Sequence, residues 1–533
     1  MTAGTAAGAD GNTVDGAVTS VAAVRSFIGK RRRRSWTDWY SAGFAVLIAG
    51  IYLSDILASP LHRLDGQASQ AAATHAAALQ AVTGAGLVIG AGAGLLLLAQ
   101  ALGPLVLSPA DSAWLLLTPL SRRGILRRPA FAAAVAATLS GALLGVLALA
   151  MAGPYLRTAL PSTGGGSLPG SWLAYSAIAG AGCSLAAIAT EALVQPRERA
   201  RSVVRACCGL LAVIALAGAL AGQGSAAVIR TVTAVFGGLT TPDFTAAAVA
   251  AVALACLAWL LLWRATAAFP AAALRADSAR SGRAMLAAGV LNFSLLFWIA
   301  EDNHWRGRLL RSRPWPGMPA AMTLAWADWR RLRRRPGPLA VVVVASVFPA
   351  LLGAAFTGQA HGILIAAALV AGSMAAGLQG TTNARRDMDS AVLRRLLGVA
   401  PSQVLAARAV LPALLCTAWL ALALTVLPAV GALPGWWWPL LALAGPGVTA
   451  GVLRLARTAP VDPSNRGPDT PMGNTPPWMV SRVISIAVAA IGSFPMLTAV
   501  IHGHAGAGTA ASQVLVSAVA IGIYLMIAGA TGR

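Results

Sequence analysis

The segment Phe131–Gly153 reads FAAAVAATLSGALLGVLALAMAG and contains no charged residue. A helix that rises about 1.5 Å per residue needs about 20 such residues to cross the hydrocarbon core of a bilayer. Four arginines lie shortly before the segment: Arg122, Arg123, Arg127 and Arg128. An apolar run with a basic flank on one side predicts a membrane-spanning helix whose basic end lies in the cytosol.

The whole chain has this character. Of its 533 residues, 57% are hydrophobic and only 11% are charged, whereas about a quarter of the residues in soluble domains are charged. A soluble fold is therefore excluded. The 40 basic and 17 acidic residues give a net charge of +23, which in a soluble protein would indicate a nucleic-acid partner. Since the apolar excess leaves no polar face for such a partner, we expect no nucleic-acid binding and interpret the charge as a signal of membrane orientation.

We predict an all-α, polytopic integral membrane protein with about twelve transmembrane helices. The predicted spans are Ser41–Ala58, Leu79–Leu107, Phe131–Gly153, Trp172–Val194, Val203–Ala221, Phe244–Trp263, Leu339–Phe356, Ile363–Leu378, Val410–Val430, Trp436–Leu453, Val483–Ile501 and Val514–Ala530.

The basic residues predict how these spans are oriented. If both termini are cytosolic, Arg63, Arg157 and Arg230 are the only ones of the 40 lysines and arginines that lie outside, as the positive-inside rule demands. The arginine-rich and alanine-rich composition is typical of a GC-rich bacterial genome, so we expect a bacterial plasma membrane. The apolar stretch Ala284–Ala300 has arginines on both sides, and we place it as a helix on the cytosolic surface.

Short motifs occur twice and predict two fused six-helix repeats. Trp36-Thr37-Asp38-Trp39 precedes the first span, and Trp326-Ala327-Asp328-Trp329 precedes the seventh. Asp-Ser-Ala follows the second span at Asp111 and the eighth at Asp389. Six spans per half give both repeats the same orientation. The predicted organisation is a disordered basic cytosolic tail (1–34), a first six-span half (35–263), a cytosolic or interfacial linker (264–325) and a second six-span half (326–533).

The loop Ser108–Pro129 carries the strongest local signal. Ser108-Pro109-Ala110-Asp111 has the form of a helix start, with a capping serine, a proline at the first helical position and an acid in the first turn. One interpretation is a basic loop that only fixes topology. The other is a docking helix that transmits movement from a cytosolic partner, and the recurrence of the layout at Asp387–Arg408 favours it.

These elements resemble the six-span permease half of type-2 ABC exporters, present twice in one chain. They also resemble a family of tandem twelve-span membrane proteins from high-GC bacteria, for which no substrate is implied. In type-2 exporters the loop between the second and third spans contacts the ATPase. The resemblance therefore implies ATPase-docking roles for Asp111, Trp114, Arg122 and Arg123, and for Asp389, Pro401 and Ser402 in the second half. It implies an interfacial helix at Trp36, Asp38 and Trp39, and another at Trp326, Asp328 and Trp329. The second copy departs from the pattern, with Val392 at the position of Trp114 and no arginine pair after Pro401.

ATP itself must bind elsewhere under this interpretation. Lys30 is the only lysine in the chain, and it lacks the glycine-rich approach of a phosphate-binding loop. We therefore expect a permease that is not an enzyme, binds no cofactor, contacts membrane lipid and works with a separate cytosolic P-loop ATPase.

Several alternatives are weighed against this function. Asp55 and Glu191 lie near the ends of predicted spans, and we interpret both as boundary residues, which disfavours an ion-coupled carrier. A membrane scaffold or assembly protein stays open. A lipid-linked transferase that uses Asp55 and Asp65 is less favoured, because the outer loops are short.

Three further features are assigned no functional role. His502 and His504 lack acidic or thiol company, so we predict no metal site. The five cysteines lie in apolar runs and are expected to be buried and unpaired. Gln223–Pro242 is equally compatible with a re-entrant hairpin and an ordinary loop.

Overall fold

The fold is described from a computed structural model. It describes residues 70–105, 107, 109–114, 116, 121–159, 170–222, 241–289, 317–334, 336–355, 360–389, 399–435, 437–458, 469–470, 473–474 and 477–530. The chain divides into two units, Met1–Gly282 and Arg283–Arg533, and the boundary falls inside the segment 264–325 that the sequence predicts to be a linker.

Helices, most of them long, form the described part of unit 1, and the last of them extends beyond Gly282. They are α1 (Gln70–Leu102), α2 (Pro109–Trp114), α3 (Arg122–Ala159), α4 (Gly170–Val194), α5 (Glu198–Gly222) and α6 (Thr241–Ala265), followed by a 3-10 turn (Thr266–Ala268) and α7 (Ala271–Gly289). Helix α4 packs against α3 and α6, and α1 packs against α5 and α3. The predicted helix start at Pro109 is confirmed by α2.

Glycine permits the closest of these contacts. A Cβ atom at Gly141 would lie 2.3 Å from the carbonyl oxygen of Gly180, and one at Gly145 would lie 2.1 Å from that of Ser176. Both distances are too short for any side chain, so small residues let α3 and α4 approach backbone to backbone, as is common between membrane helices.

Unit 2 has the same helical character with more interruptions. Its helices are α8 (Ala320–Arg333), α9 (Pro336–Ala345), α10 (Phe348–Ala355), α11 (Ala360–Leu378), α12 (Thr382–Asp389), α13 (Pro401–Ala429), α14 (Gly445–Ala456), α15 (Pro477–Gly492), α16 (Phe494–His502) and α17 (Ala507–Ala530), with a 3-10 helix at Trp438–Ala444. Asp469–Thr470 and Gly473–Asn474 form a minimal antiparallel pair, β1 and β2.

Two tryptophans organise the core of unit 2. Trp438 is fully buried, and its indole nitrogen donates to the carbonyl oxygen of Pro434 at 2.7 Å. Trp419 on α13 donates to the carbonyl oxygen of Val342 at 2.9 Å, and its ring covers Gly372, where a Cβ atom would lie 2.1 Å away. A buried indole needs such a hydrogen-bond partner. The bond and the ring contact of Trp419 therefore join α13 to α9 and α11.

The described residues form a helical multi-pass membrane protein. Nine helices within them are long and apolar enough to cross a bilayer: Ala77–Gln100, Arg122–Gly153, Gly170–Val194, Ala200–Leu220, Pro242–Ala268, His361–Leu378, Pro401–Ala429, Trp438–Ala456 and Ala507–Ala528. A tenth span results if Val480–Gly492 and Phe494–His502 are counted together, although they meet at 71°. Each matches a predicted span. Leu339–Ala355 is a shorter apolar helix, and the first predicted span, Ser41–Ala58, lies outside the described residues.

Other expectations have mixed outcomes. Gln223–Pro242 is described only at positions 241 and 242, where α6 begins, so the hairpin question lies outside the described residues. Of Ala284–Ala300, α7 covers the part up to Gly289, and the remainder lies outside as well.

The five cysteines are free thiols, but the prediction that all are buried is wrong, since Cys183, Cys207 and Cys256 are exposed. They lie on helix faces rich in exposed apolar side chains, the faces that lipid covers in a membrane protein.

Candidate functional site

The most connected polar site in the described residues surrounds Arg408, near the start of α13. This side chain is only 8% exposed and pairs with two acids. Its Nη1 lies 2.7 Å from Oδ1 of Asp328 on α8, and its Nε lies 2.8 Å from Oδ2 of Asp387 on α12. Nη1 also donates to the carbonyl oxygen of Leu324 at 3.2 Å. One guanidinium therefore joins three helices.

Asn383 completes the site. Its amide nitrogen donates to Asp328 Oδ1 at 2.5 Å, and its amide oxygen accepts a hydrogen bond from Arg331 Nη1 at 3.0 Å. We call Asp328, Arg331, Asn383, Asp387 and Arg408 the Arg408 cluster. With two acids and two arginines it is formally neutral, as a buried charge network must be if it is not to cost several kcal/mol per unpaired ion.

A small half-open cleft lies beside the Arg408 cluster. Its empty volume is about 270 Å³, including space open to solvent. The lining residues are Asp328, Arg331, Leu332, Gln379, Gly380, Thr382, Asn383 and Leu411. Asp328 is 4% exposed, and its second oxygen, Oδ2, is buried without a hydrogen bond from the described residues. Burial raises the pKa of Asp328, and the nearby positive charge of Arg408 opposes this rise.

The sequence explains why these side chains meet. Asp328 and Leu332 are one helical turn apart on α8 and are both buried, whereas Trp326 and Trp329 are 40% and 44% exposed. The aspartate of the Trp-x-Asp-Trp motif therefore points into the protein while both tryptophans point out. This helical periodicity buries the acid of the motif and exposes both of its rings.

Unit 1 has a different polar cluster at the end of α4. Gln195 donates through Nε2 to Asp277 Oδ2 at 2.7 Å, and Arg201 Nη1 lies 3.3 Å from Asp277 Oδ1. The backbone nitrogen of Leu105 donates to Gln195 Oε1 at 3.3 Å. Gly103, with a φ of +85°, makes the turn that brings this backbone close, and a left-handed residue there favours glycine. Asp277 thus fastens α7 to the ends of α1, α4 and α5.

Glu191 lies in the last turn of α4, near the end of the span as predicted, but it is buried and does not extend toward the lipid headgroups. It is 3% exposed and accepts a hydrogen bond from Gln100 Nε2 at 2.5 Å. A residue that extended toward the lipid headgroups would be accessible at the edge of the bundle. Glu191 instead faces α1, because Gln100 lies opposite it and provides a donor.

A third polar group forms hydrogen bonds to the backbone at the break between α15 and α16. Gln513 on α17 is fully buried. Its Oε1 accepts from the backbone nitrogen of Met496 at 2.9 Å, and its Nε2 donates to the carbonyl oxygen of Gly492 at 2.9 Å. Ser517 adds a donor to Gly492 at 3.3 Å. The Gly492 carbonyl and the Met496 nitrogen at the bend are thereby paired, as an apolar environment requires.

The predicted docking residues lie on the loop helices and on the starts of the following spans. Asp111 is half-buried on α2, Trp114 ends α2, and Asp389 ends α12. Arg122 and Arg123 are exposed at the start of α3, and Arg122 also donates to the carbonyl oxygen of Phe269. Pro401 and Ser402 are exposed at the start of α13. Trp36, Asp38 and Trp39 lie outside the described residues.

Sequence reasoning missed the partners of these residues. Asp387 and Arg408 were named only as the bounds of the second loop and Asn383 not at all, although an arginine two residues before the predicted span Val410–Val430, where an unpaired charge is costly, could have been noticed. Gln513 gave a weaker signal as a lone amide in an apolar run. Among the described side chains, no group of three or more histidines, cysteines, aspartates or glutamates could hold a metal ion.

Comparison with known proteins gives one match. No curated protein and no solved structure matches the chain. Residues 78–465, well over half of the sequence, match the family model described as a family of unknown function, DUF6297. The matched region includes most of α1 and extends past the Arg408 cluster to α14. The chain therefore belongs to the DUF6297 family.

Proposed function

We propose that this protein is the permease subunit of an ATP-driven exporter in a bacterial plasma membrane, working with a separate cytosolic P-loop ATPase. The proposal includes twelve spans in two fused six-span repeats, both termini in the cytosol, and no catalytic activity of the chain itself. Its docking elements are α2 and α12, each of which follows one span and precedes the next.

The observation that carries the proposal is the attachment of α12. This short helix is bound to α13 through Asp387 and Arg408, at 2.8 Å, and to α8 through Asn383 and Asp328, at 2.5 Å. A helix pushed by an ATPase must be connected rigidly to a span if the push is to move that span. The buried ion pairs of the Arg408 cluster are connections of this kind, whereas a loop that only fixes topology needs none.

An ion-coupled carrier is the competing transport class, because the break between α15 and α16 is of a type found in such carriers. However, its freed backbone groups are bonded to Gln513 and Ser517. Residues 477–530 contain no aspartate or glutamate, so an acidic ion ligand at the break would have to come from elsewhere. These features favour a structural break and an external energy source.

Affinity isolation tests the proposal. The detergent-solubilised protein is purified from its own membranes as wild type and as the variant Asp111→Arg/Asp389→Arg, and the retained proteins are identified. We expect the wild type to retain a P-loop ATPase and the variant to lose it. Asp243→Arg, the same charge reversal on the predicted outer side, should retain it. Failure of the wild type to retain any ATPase, under conditions that preserve other membrane complexes, would remove the proposal and favour a scaffold.

A further inference from the structure

Besides Asp328, which belongs to the Arg408 cluster, α8 has an exposed face that takes no part in that cluster. Met322, Trp326 and Trp329 are 61%, 40% and 44% exposed. Together with the exposed Arg333 they follow one another at intervals of four, three and four residues, so they form a single stripe along the helix. Asp328 and Leu332, at 4% and 5% exposure, are buried on an adjacent side of the helix.

The charged residues at the C-terminal end of this stripe are all arginines. Arg330 is half-buried and Arg333 and Arg334 are exposed, and the sole acid of α8 is Asp328, which Arg408 and Asn383 hold inside the protein. The outward-facing surface of α8 therefore combines a methionine and two tryptophans with three arginines. We call Met322, Trp326, Trp329, Arg330, Arg333 and Arg334 the α8 face.

We propose that the α8 face binds the headgroups of anionic phospholipids. Indole rings favour the boundary between acyl chains and headgroups, so Trp326 and Trp329 place the helix at that depth. Guanidinium groups bind phosphate with two parallel hydrogen bonds, and an anionic leaflet attracts each nearby arginine. An acidic protein would satisfy the arginines but would leave no apolar layer for Met322 and the two rings, so the lipid surface fits the whole face.

The Arg408 cluster gives this binding a structural context. Because Asp328 is anchored to Arg408 at 2.7 Å, the rotation of α8 about its axis is fixed, with the tryptophans outward. The α8 face is therefore prepared before a lipid arrives, which lowers the entropic cost of binding. This inference does not depend on the proposed transport function, since it needs only a helical membrane protein with α8 at the interface.

Hydrogen exchange of the full chain in lipid nanodiscs tests the inference locally. Amide exchange of peptides covering 320–334 is measured while phosphatidylglycerol replaces phosphatidylcholine at constant total lipid. We expect exchange to slow as the anionic fraction rises. In the variant Arg330→Gln/Arg333→Gln/Arg334→Gln, the fraction that gives half of the protection should rise roughly tenfold or more, because each arginine contributes about a fivefold preference for anionic lipid.

Matched variants separate the α8 face from general basicity. Arg123→Gln/Arg127→Gln/Arg128→Gln removes the same charge from exposed positions of α3 and should leave the 320–334 response unchanged. The variant Arg330→Lys/Arg333→Lys/Arg334→Lys keeps the charge and should keep most of the exchange response of peptides 320–334. It also tests whether the helix tolerates substitution at these positions. An equal loss in both glutamine variants would overturn the inference. An unchanged exchange response of peptides 320–334 in the α8 glutamine variant would also overturn it. The same holds if that variant keeps the lipid response but loses a bound acidic protein, because the arginines would then bind protein and not lipid.

Discussion

Removal of the Arg408 guanidinium is the perturbation that the structure predicts most sharply. Arg408→Leu keeps the apolar stem of the side chain but leaves Asp328 and Asp387 without their cation. Asp328 has a side chain only 2% exposed, whereas that of Asp387 is 19% exposed and regains some water. Breaking a buried ion pair from one side costs about 3–5 kcal/mol. We assign most of that loss to Asp328 and expect Arg408→Leu to lower the free energy of unfolding by about 3–5 kcal/mol.

Unfolding in mixed micelles provides the measurement. The fraction folded is followed by tryptophan fluorescence as a denaturing detergent is added, for the wild type, Arg408→Leu and the exposed-arginine control Arg127→Leu. The control should change the free energy by no more than about 0.5 kcal/mol, as is usual for surface positions. If Arg408→Leu behaved like this control, the buried network would not exist as described.

A double-mutant cycle refines the same prediction. Asp328→Asn removes the deeply buried charge but keeps a side chain of the same size. In combination with Arg408→Leu it should cost less than the sum of the two single changes, with a coupling of about 1–3 kcal/mol. Strict additivity would mean that Asp328 and Arg408 do not interact.

Three further predictions concern single residues. Gln513→Leu removes the amide that bonds the backbone of Gly492 and Met496. The Met496 nitrogen then loses its partner while the Gly492 carbonyl keeps Ser517, so the free energy of unfolding should fall by roughly 1–3 kcal/mol. Gly447→Ala places a Cβ atom 2.3 Å from the carbonyl oxygen of Gly492, and the forced separation of α14 and α15 should cost about 1–3 kcal/mol, measured as a lower thermal midpoint. Because burial raises the pKa of Asp328, its protonated form favours the folded state. The stability of the wild type relative to Asp328→Asn should therefore be greatest below the unfolded pKa of about 4 and should decrease as pH rises through the raised pKa.

Neighbouring positions provide controls for these changes. Ser512 is exposed beside Gln513, so Ser512→Ala should have little effect. A Cβ atom at Gly508 would meet nothing within 4 Å, and Gly508→Ala should be tolerated. Equal effects at Gly447 and Gly508 would contradict the close approach of α14 and α15. A wild type that became more stable relative to Asp328→Asn as the pH rose would contradict the direction of the pKa shift.

Hydrophobic length was sufficient to predict where ten of the twelve proposed spans lie. Segments such as Phe131–Gly153 are uniformly apolar, and the bilayer imposes both their length and their helical hydrogen bonding. The break at Ser493 was not predicted, because residues 483–501 are apolar on both sides of it. Its stability depends on Gln513 of the next helix, and a hydropathy pattern contains no information on such a tertiary partner.

The polar sites were predictable only in part. The family resemblance implied a helix at the Trp-x-Asp-Trp motif, and α8 is present there, but the cation that pairs with its acid lies 80 positions later in the chain. Pairing across that distance is decided by helix packing, since it requires α8, α12 and α13 to meet. Glu191 shows the same limit. Its position near the end of a span was visible in the sequence, whereas the donor that faces it, Gln100, lies on another helix.

Site-specific photo-crosslinking in living cells tests the central claim, that α12 docks a cytosolic ATPase, most directly. A photoreactive amino acid is placed at Arg386, an exposed position of α12, and for comparison at Leu254, an exposed apolar position of α6. We predict that position 386 crosslinks to a P-loop ATPase and that position 254 crosslinks to lipid alone. Crosslinks from position 386 only to lipid, or only to proteins that lack a P-loop, would contradict the proposed function.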